Sequence, residues 1–133
     1  MADKAVTIIF NPISGSGRAR QLAERMDRAL RALGLATRLE PTARAGDATR
    51  ITRRREAESR AVLAVGGDGT IREVVAGLSA GETPLAVLPA GTSNVLALAL
   101  DLPRNPVQAA RMVAAGTTRR LDLMEADRPG GER

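Results

Sequence analysis

Three short apolar runs, Ala5–Phe10, Ala61–Val65 and Leu85–Leu88, each break into a corner rich in glycine, serine or proline, and helical spacing or a helix-start signal follows. That recurrence constrains the fold more than any other feature of the chain. Runs of this length and β-branched content read as strands buried on both faces, which is the signature of a parallel sheet. Between them, Leu22, Met26, Ala29 and Leu33 recur at helical spacing over 18–33, with Gly34 placed to end the helix. Leu35–Glu40 reads as a further strand closed by Pro41, and Asp47 as the cap of a helix over about 48–58. That helix offers little apolar surface beyond Ala48 and Ile51 and is expected to be peripheral. Ile71, Val74, Val75 and Leu78 mark a helix ending near Gly81, and Asn105-Pro106 opens one that ends at Gly116. Thr117–Met124 reads as a last strand.

The alternation predicts an α/β fold: a three-layer, mostly parallel sheet with helices on both faces. Residues 1–124 form the expected domain, and 125–133 read as a polar tail or the start of a second, β-rich domain. Ligands in such sheets bind outside the carboxyl ends of the strands, so the corners there carry the functional question.

Composition removes several answers. The chain has no cysteine and no histidine, which excludes disulfides, Cys/His zinc sites and Ser-His or Cys-His nucleophiles. Its net charge is +5, and its 20 basic residues are almost all arginine, since Lys4 is the only lysine. Phe10 is the only aromatic residue, which argues against a nucleic-acid partner recognised by base stacking. Pairs such as Glu24 with Arg28 and Asp27 with Arg31 fit a solvated helix face. No signal peptide or membrane-spanning stretch is visible, so the expectation is a cytoplasmic protein, with room for peripheral membrane contact. The nearly all-apolar segment 95–100 is a candidate surface for self-association.

The strongest corner is Gly66-Gly67-Asp68-Gly69-Thr70, between a strand and a helix. Its glycines permit close approach of a ligand, and amides at a helix start attract anions. Asp68 would repel a bare phosphate but suits a bound divalent cation or a hydroxyl; the plain alternative is a tight turn with Asp68 capping the helix. A second corner, Asn11-Pro12-Ile13-Ser14-Gly15-Ser16-Gly17, is either an ordinary loop or a second anion nest. It is not the dinucleotide fingerprint, because Arg20 stands where the third glycine belongs, and no Walker A sequence occurs. The third, Gly91-Thr92-Ser93-Asn94, offers hydroxyls and helix-start amides, or simply caps a helix. Thr42, Gly46 and Asp47 should line the same edge.

Phe10–Gly15, Thr42 with Gly46-Asp47-Ala48, Gly66–Thr70 with Glu73, and Pro89–Asn94 together resemble, in order and context, the diacylglycerol kinase catalytic domain of bacterial lipid kinases. The resemblance runs from about Val6 to Leu123; the Gly-Gly-Asp-Gly-Thr motif is also shared with NAD kinases. It implies an ATP- and Mg2+-dependent enzyme that transfers the γ-phosphate to a lipid hydroxyl. The fold it implies is that of the N-terminal domain of the NAD kinase and diacylglycerol kinase families. By matched position, Asn11, Pro12, Ile13, Ser14, Gly15, Thr42, Gly66, Gly67, Asp68, Gly69, Thr70, Glu73, Gly91, Thr92 and Asn94 would contact ATP. Asp68 would sit at the metal and the transferring phosphate.

Three features depart from the family pattern. Val95 replaces a common Asp, and Arg72 a common Asn. The chain also stops where family members continue into a β-rich domain that completes the cleft, supplies the acidic base and helps receive the lipid. The isolated chain is therefore expected to be inactive. The alternatives are a nucleotide-binding module without chemistry of its own, or an NAD kinase-like enzyme.

Overall fold

Along the first strand, β1 (Ala5–Phe10), the side chains alternate between two cores. Val6, Ile8 and Phe10 enter one, while Ile9 enters the other. The third strand in chain order, β3 (Ser59–Gly66), does the same, with Leu63 and Val65 on one side and Val62 and Ala64 on the other. Two-sided burial is what a sheet covered by helices on both faces demands.

The computed structural model describes residues 4–79, 82–90, 102–116 and 118. Their order is β1, α1 (Arg18–Ala32), β2 (Thr37–Pro41), α2 (Asp47–Arg55), a 3-10 turn over Glu56–Glu58, β3, α3 (Asp68–Gly77), β4 (Leu85–Pro89) and α4 (Pro106–Ala115). The four strands form one parallel sheet in the order β2-β1-β3-β4. Helices α1 and α4 cover one face, α2 and α3 the other. This is the expected three-layer α/β architecture. No helix among the described residues is long and apolar enough to cross a membrane.

Local chemistry sets the element ends. Helix α1 buries Ala19, Leu22, Ala23, Met26 and Leu30, a stripe at helical spacing. It stops because the Gly34 amide donates to Arg31 O at 2.9 Å and the Leu35 amide to Leu30 O at 3.1 Å, which satisfies two terminal carbonyls. Leu33, expected on the core stripe, is instead exposed at this stop. On its solvent side, Asp27 and Arg31 pair at 3.1 Å. Among the described residues no such pair joins Glu24 to Arg28. Asn105 caps α4 by accepting from the amides of Val107 (2.8 Å) and Gln108 (3.3 Å), with Pro106 in the first turn and Gly116 at the end.

Several details differ from the sequence reading: β2 starts at Thr37 and includes Pro41 instead of stopping before it, and α2 gives way to the 3-10 turn after Arg55. Helix α3 ends at Gly77, and Leu78 turns to an extended conformation before reaching Gly81. Helix α2 is less peripheral than its composition suggests. Ala48 and Ile51 are buried as expected, but Thr52 is buried too, its hydroxyl donating to Ala48 O at 2.7 Å. A Cβ on Gly77 would lie 2.5 Å from Thr49 O, so a missing side chain, rather than an apolar stripe, lets α2 and α3 approach. Finally, Asp47 does not occupy the cap position of α2, for a reason that bears on the site. The expected last strand 117–124 and the segment 95–100 lie outside the described residues, Thr118 apart.

Candidate functional site

In the order β2-β1-β3-β4, the chain leaves β1 in one direction for β2 and then crosses to β3 on the other side. The loops after β1 and β3 therefore part at a topological switch point, the usual place for a ligand in an open parallel sheet. Helices α1, α2 and α3 all begin at this edge, so the positive ends of three helix dipoles face it. A cleft of about 450 Å³ lies there.

Each wall has its own construction. The corner after β1 contributes Asn11, Ile13 and Ser14. Asn11 organises it: its side-chain oxygen accepts from the Ile13 amide at 3.2 Å, and its carbonyl accepts from the Ser14 amide at 3.0 Å. Gly15, Ser16 and Gly17 then run through positive φ (61°, 57° and 89°), a path the two glycines follow freely and Ser16 follows at a steric cost. Ile13 is 81% exposed, an unsheltered apolar side chain at the cleft.

The corner after β3 contributes Gly67, Gly69, Thr70 and Glu73. Helix α3 begins at Asp68 with Gly67 in the N-cap position, so Asp68 does not occupy the cap position. Gly66 serves packing: an added Cβ would meet the Thr70 hydroxyl at 2.9 Å. Gly67 and Gly69 are different. Among the described residues a Cβ on either would meet no atom within 4 Å, so packing against them does not require these glycines. Both face the cleft.

The corner after β2 contributes Thr42, Ala43, Arg44 and Ala45, with Ala48 of α2. The Thr42 amide continues the sheet pairing by donating to Phe10 O at 2.9 Å. Beyond it the loop is tied down by carboxylates. Asp47 Oδ2 accepts from the amides of Ala43 (2.7 Å) and Arg44 (3.0 Å), and its other oxygen pairs with Arg50. Glu73 Oε1 accepts from the Gly46 amide at 3.1 Å, reaching across from α3, and the Thr49 hydroxyl donates to Glu73 O at 2.7 Å. Gly46, at φ 89°, takes the cap position of α2 and pushes Asp47 one residue into the helix. The Asp47 carboxylate consequently reaches back to the loop instead of capping the helix. Its two backbone donors, ahead of Arg50, hold its carboxyl below the usual carboxylate range.

Of the residues singled out in sequence, the cleft brings together Asn11, Ile13, Ser14, Thr42, Gly67, Gly69, Thr70 and Glu73. Pro12, Gly15, Gly66 and Asp68 belong to the same corners without lining it. Gly91, Thr92 and Asn94 lie outside the described residues. Sequence reasoning passed over Ala43, Arg44 and Ala45, and named Ala48 only as helix surface and part of a motif. An arginine in a strand-end corner was a signal it could have used.

A parallel α/β domain with its strand-end cleft at the switch point is the class that this geometry defines. The chain belongs to the diacylglycerol kinase catalytic domain family, whose model matches residues 5–126. It is similar to the diacylglycerol kinase of Bacillus subtilis (strain 168), 37% identical over 126 residues that span 90% of this chain and 41% of that protein. It is also similar to that of Staphylococcus aureus (strain MRSA252), 36% identical over 90% of this chain and 39% of the relative. A solved diacylglycerol kinase from Bacillus anthracis str. Sterne superimposes with a TM-score of 0.73 at 27% identity, covering 88% of this chain and 44% of its own. The chain thus spans about two fifths of the length of the relatives it matches.

Proposed function

We propose that this chain is the nucleotide-binding part of a lipid kinase that transfers the γ-phosphate of ATP to a diacylglycerol-like hydroxyl. The observation that carries this reading is the pair Gly67 and Gly69, whose missing side chains leave open space in a cleft at the start of three helices. Space kept clear beside helix-start amides suits a phosphate chain. Ile13, exposed at the same cleft, offers apolar surface to the face of a purine base.

The carboxylates present are compatible with Mg2+ in a particular way. Among the described residues no three acidic side chains gather into a cage. Asp68, beside the cleft in the first turn of α3 though not on its lining, would supply one ligand, with the nucleotide phosphates and water completing the shell, as is usual for Mg2+ in phosphoryl-transfer sites. Bound there, the ion would neutralise charge on the transferring phosphate. The residues of this chain do the rest by positioning: Asn11 shapes the first corner, Gly67 and Gly69 admit the phosphates, and Glu73 braces the facing loop.

Because the chain spans 41% of a relative's length, acceptor recognition is assigned to the whole protein rather than to these 133 residues. The direct test is a thermal-shift and calorimetric titration with ATP and Mg2+. Binding must raise Tm by mass action, and saturating binding with little lipid phosphorylation is the expected result. Failure to bind ATP would refute the reading.

A further inference from the structure

We propose that Arg44 is the cation of this cleft that engages the phosphate chain, and that Asp47 is the positioning residue that holds it in place. The proposal rests on the nucleotide reading above.

A phosphate chain calls for fixed positive charge, and the usual P-loop lysine has no counterpart here. Lys4, the only lysine, precedes β1 and so lies at the amino edge of the strands, opposite the cleft. Arg44 is the one basic side chain among the described residues that lines the cleft. Its guanidinium forms no ion pair with any described residue, whereas Arg31, Arg38, Arg50, Arg54 and Arg55 are all paired with carboxylates. An unpaired guanidinium keeps its donor fork for a ligand, and that fork matches phosphate oxygens.

The backbone beneath it is held in place. The Arg44 amide donates to Asp47, the Arg44 carbonyl accepts from the Asp47 amide at 3.2 Å, and the flanking Ala43 and Gly46 amides are taken by Asp47 and Glu73. A loop already ordered loses less entropy when its side chain binds. Asp47 does not cancel the charge of Arg44, because its oxygens are committed to two amides and to Arg50. Glu73 likewise spends one oxygen on Gly46. The acidic residues of this corner therefore organise a cationic site rather than repel its ligand.

The experiment measures binding of inorganic tripolyphosphate, ATP and adenosine by the full chain. Arg44→Ala is expected to weaken tripolyphosphate and ATP about tenfold, the scale of a lost charge-assisted hydrogen bond, and to leave adenosine unchanged. Arg44→Lys should recover part of the loss. Asp47→Asn should weaken tripolyphosphate in the wild-type background but add nothing in an Arg44→Ala background, because its effect runs through Arg44. Circular dichroism checks that each variant folds, and Arg44 is exposed, so its variants should. Unchanged tripolyphosphate affinity in Arg44→Ala, alongside normal ATP binding by the wild type, would overturn the inference and spare the nucleotide reading. Additive losses in the double variant would overturn the role of Asp47. A wild type that binds neither ATP nor tripolyphosphate would overturn both readings.

Discussion

The corners after β2 and β3 face each other across one cleft and are built on opposite plans. After β3 the wall is made by leaving atoms out: Gly67 and Gly69 hold space that no described residue fills. After β2 the wall is made by tying atoms down, with Asp47 and Glu73 taking the amides of Ala43, Arg44 and Gly46. Glu73 joins the two plans, since it sits on the helix of the open corner and braces the closed one. The contrast suggests a division of labour. One corner yields room, and the other supplies a fixed side chain.

The largest expected effect tests the open corner. Gly67→Val should reduce ATP binding below detection by calorimetry while circular dichroism remains that of the wild type. The valine would fill ligand space without its Cβ meeting an atom of any described residue. Retained binding would mean that the cleft holds its ligand elsewhere. Gly66→Ala comes next and should behave in the opposite manner. Its Cβ would press on the Thr70 hydroxyl, so stability should fall by about 1–3 kcal/mol in denaturant titration. If these neighbouring glycines gave the same phenotype, the distinction between packing and open space would collapse.

The tied corner is broken more gently. Asp47→Ala strands two loop amides and should lower Tm by a few degrees, with a larger rise in hydrogen exchange at Ala43 and Arg44 than elsewhere. The same carboxylate carries a pH signature. Its folded pKa lies below the usual value, so its stabilisation is present above the unfolded carboxylate pKa and is lost as pH falls through the folded one. Glu58, held down first by its hydrogen bond to Arg55 and then by the charges of Arg55, Arg38 and Arg54, adds to the same acid limb. Asp47→Asn should therefore flatten, without abolishing, the loss of stability below the usual carboxylate range in acid titrations followed by fluorescence of a bound dye. The smallest effect is a control away from both corners. Arg31→Ala removes a partly exposed pair with Asp27 and a hydrogen bond to the Thr37 hydroxyl, and should cost about 1 kcal/mol, with ATP affinity unchanged.

Much of this was legible in residue order. Apolar runs in β1, β3 and β4 marked strands because burial on two faces leaves few polar positions, Thr7 of β1 being buried with its hydroxyl bonded to that of Ser59. The stop at Gly34 and the start at Asn105-Pro106 were legible because their chemistry lies within a few residues. The cleft was legible in part. Its glycines and Asn11 belong to compact motifs, whereas Arg44 and Ala45 carry no local pattern. The role of Asp47 was misjudged for a definite reason. An aspartate before a helix looks like a cap, and only the left-handed turn at Gly46 moves it one position inward, where it turns back on the loop.

Helix and strand content, the absence of thiol and imidazole chemistry, and the presence of glycine-bearing corners follow from the chain alone, since they depend on neighbours in sequence or on composition. Which corners share a cleft, which glycines are packed and which are open, and which carboxylate reaches which amide were decided by the order β2-β1-β3-β4 and the approach of α2 to α3. Those are contacts between residues tens of positions apart, as Glu73 is from Gly46. They become determinate only when two helices and a sheet are packed against one another and every buried donor has found its acceptor.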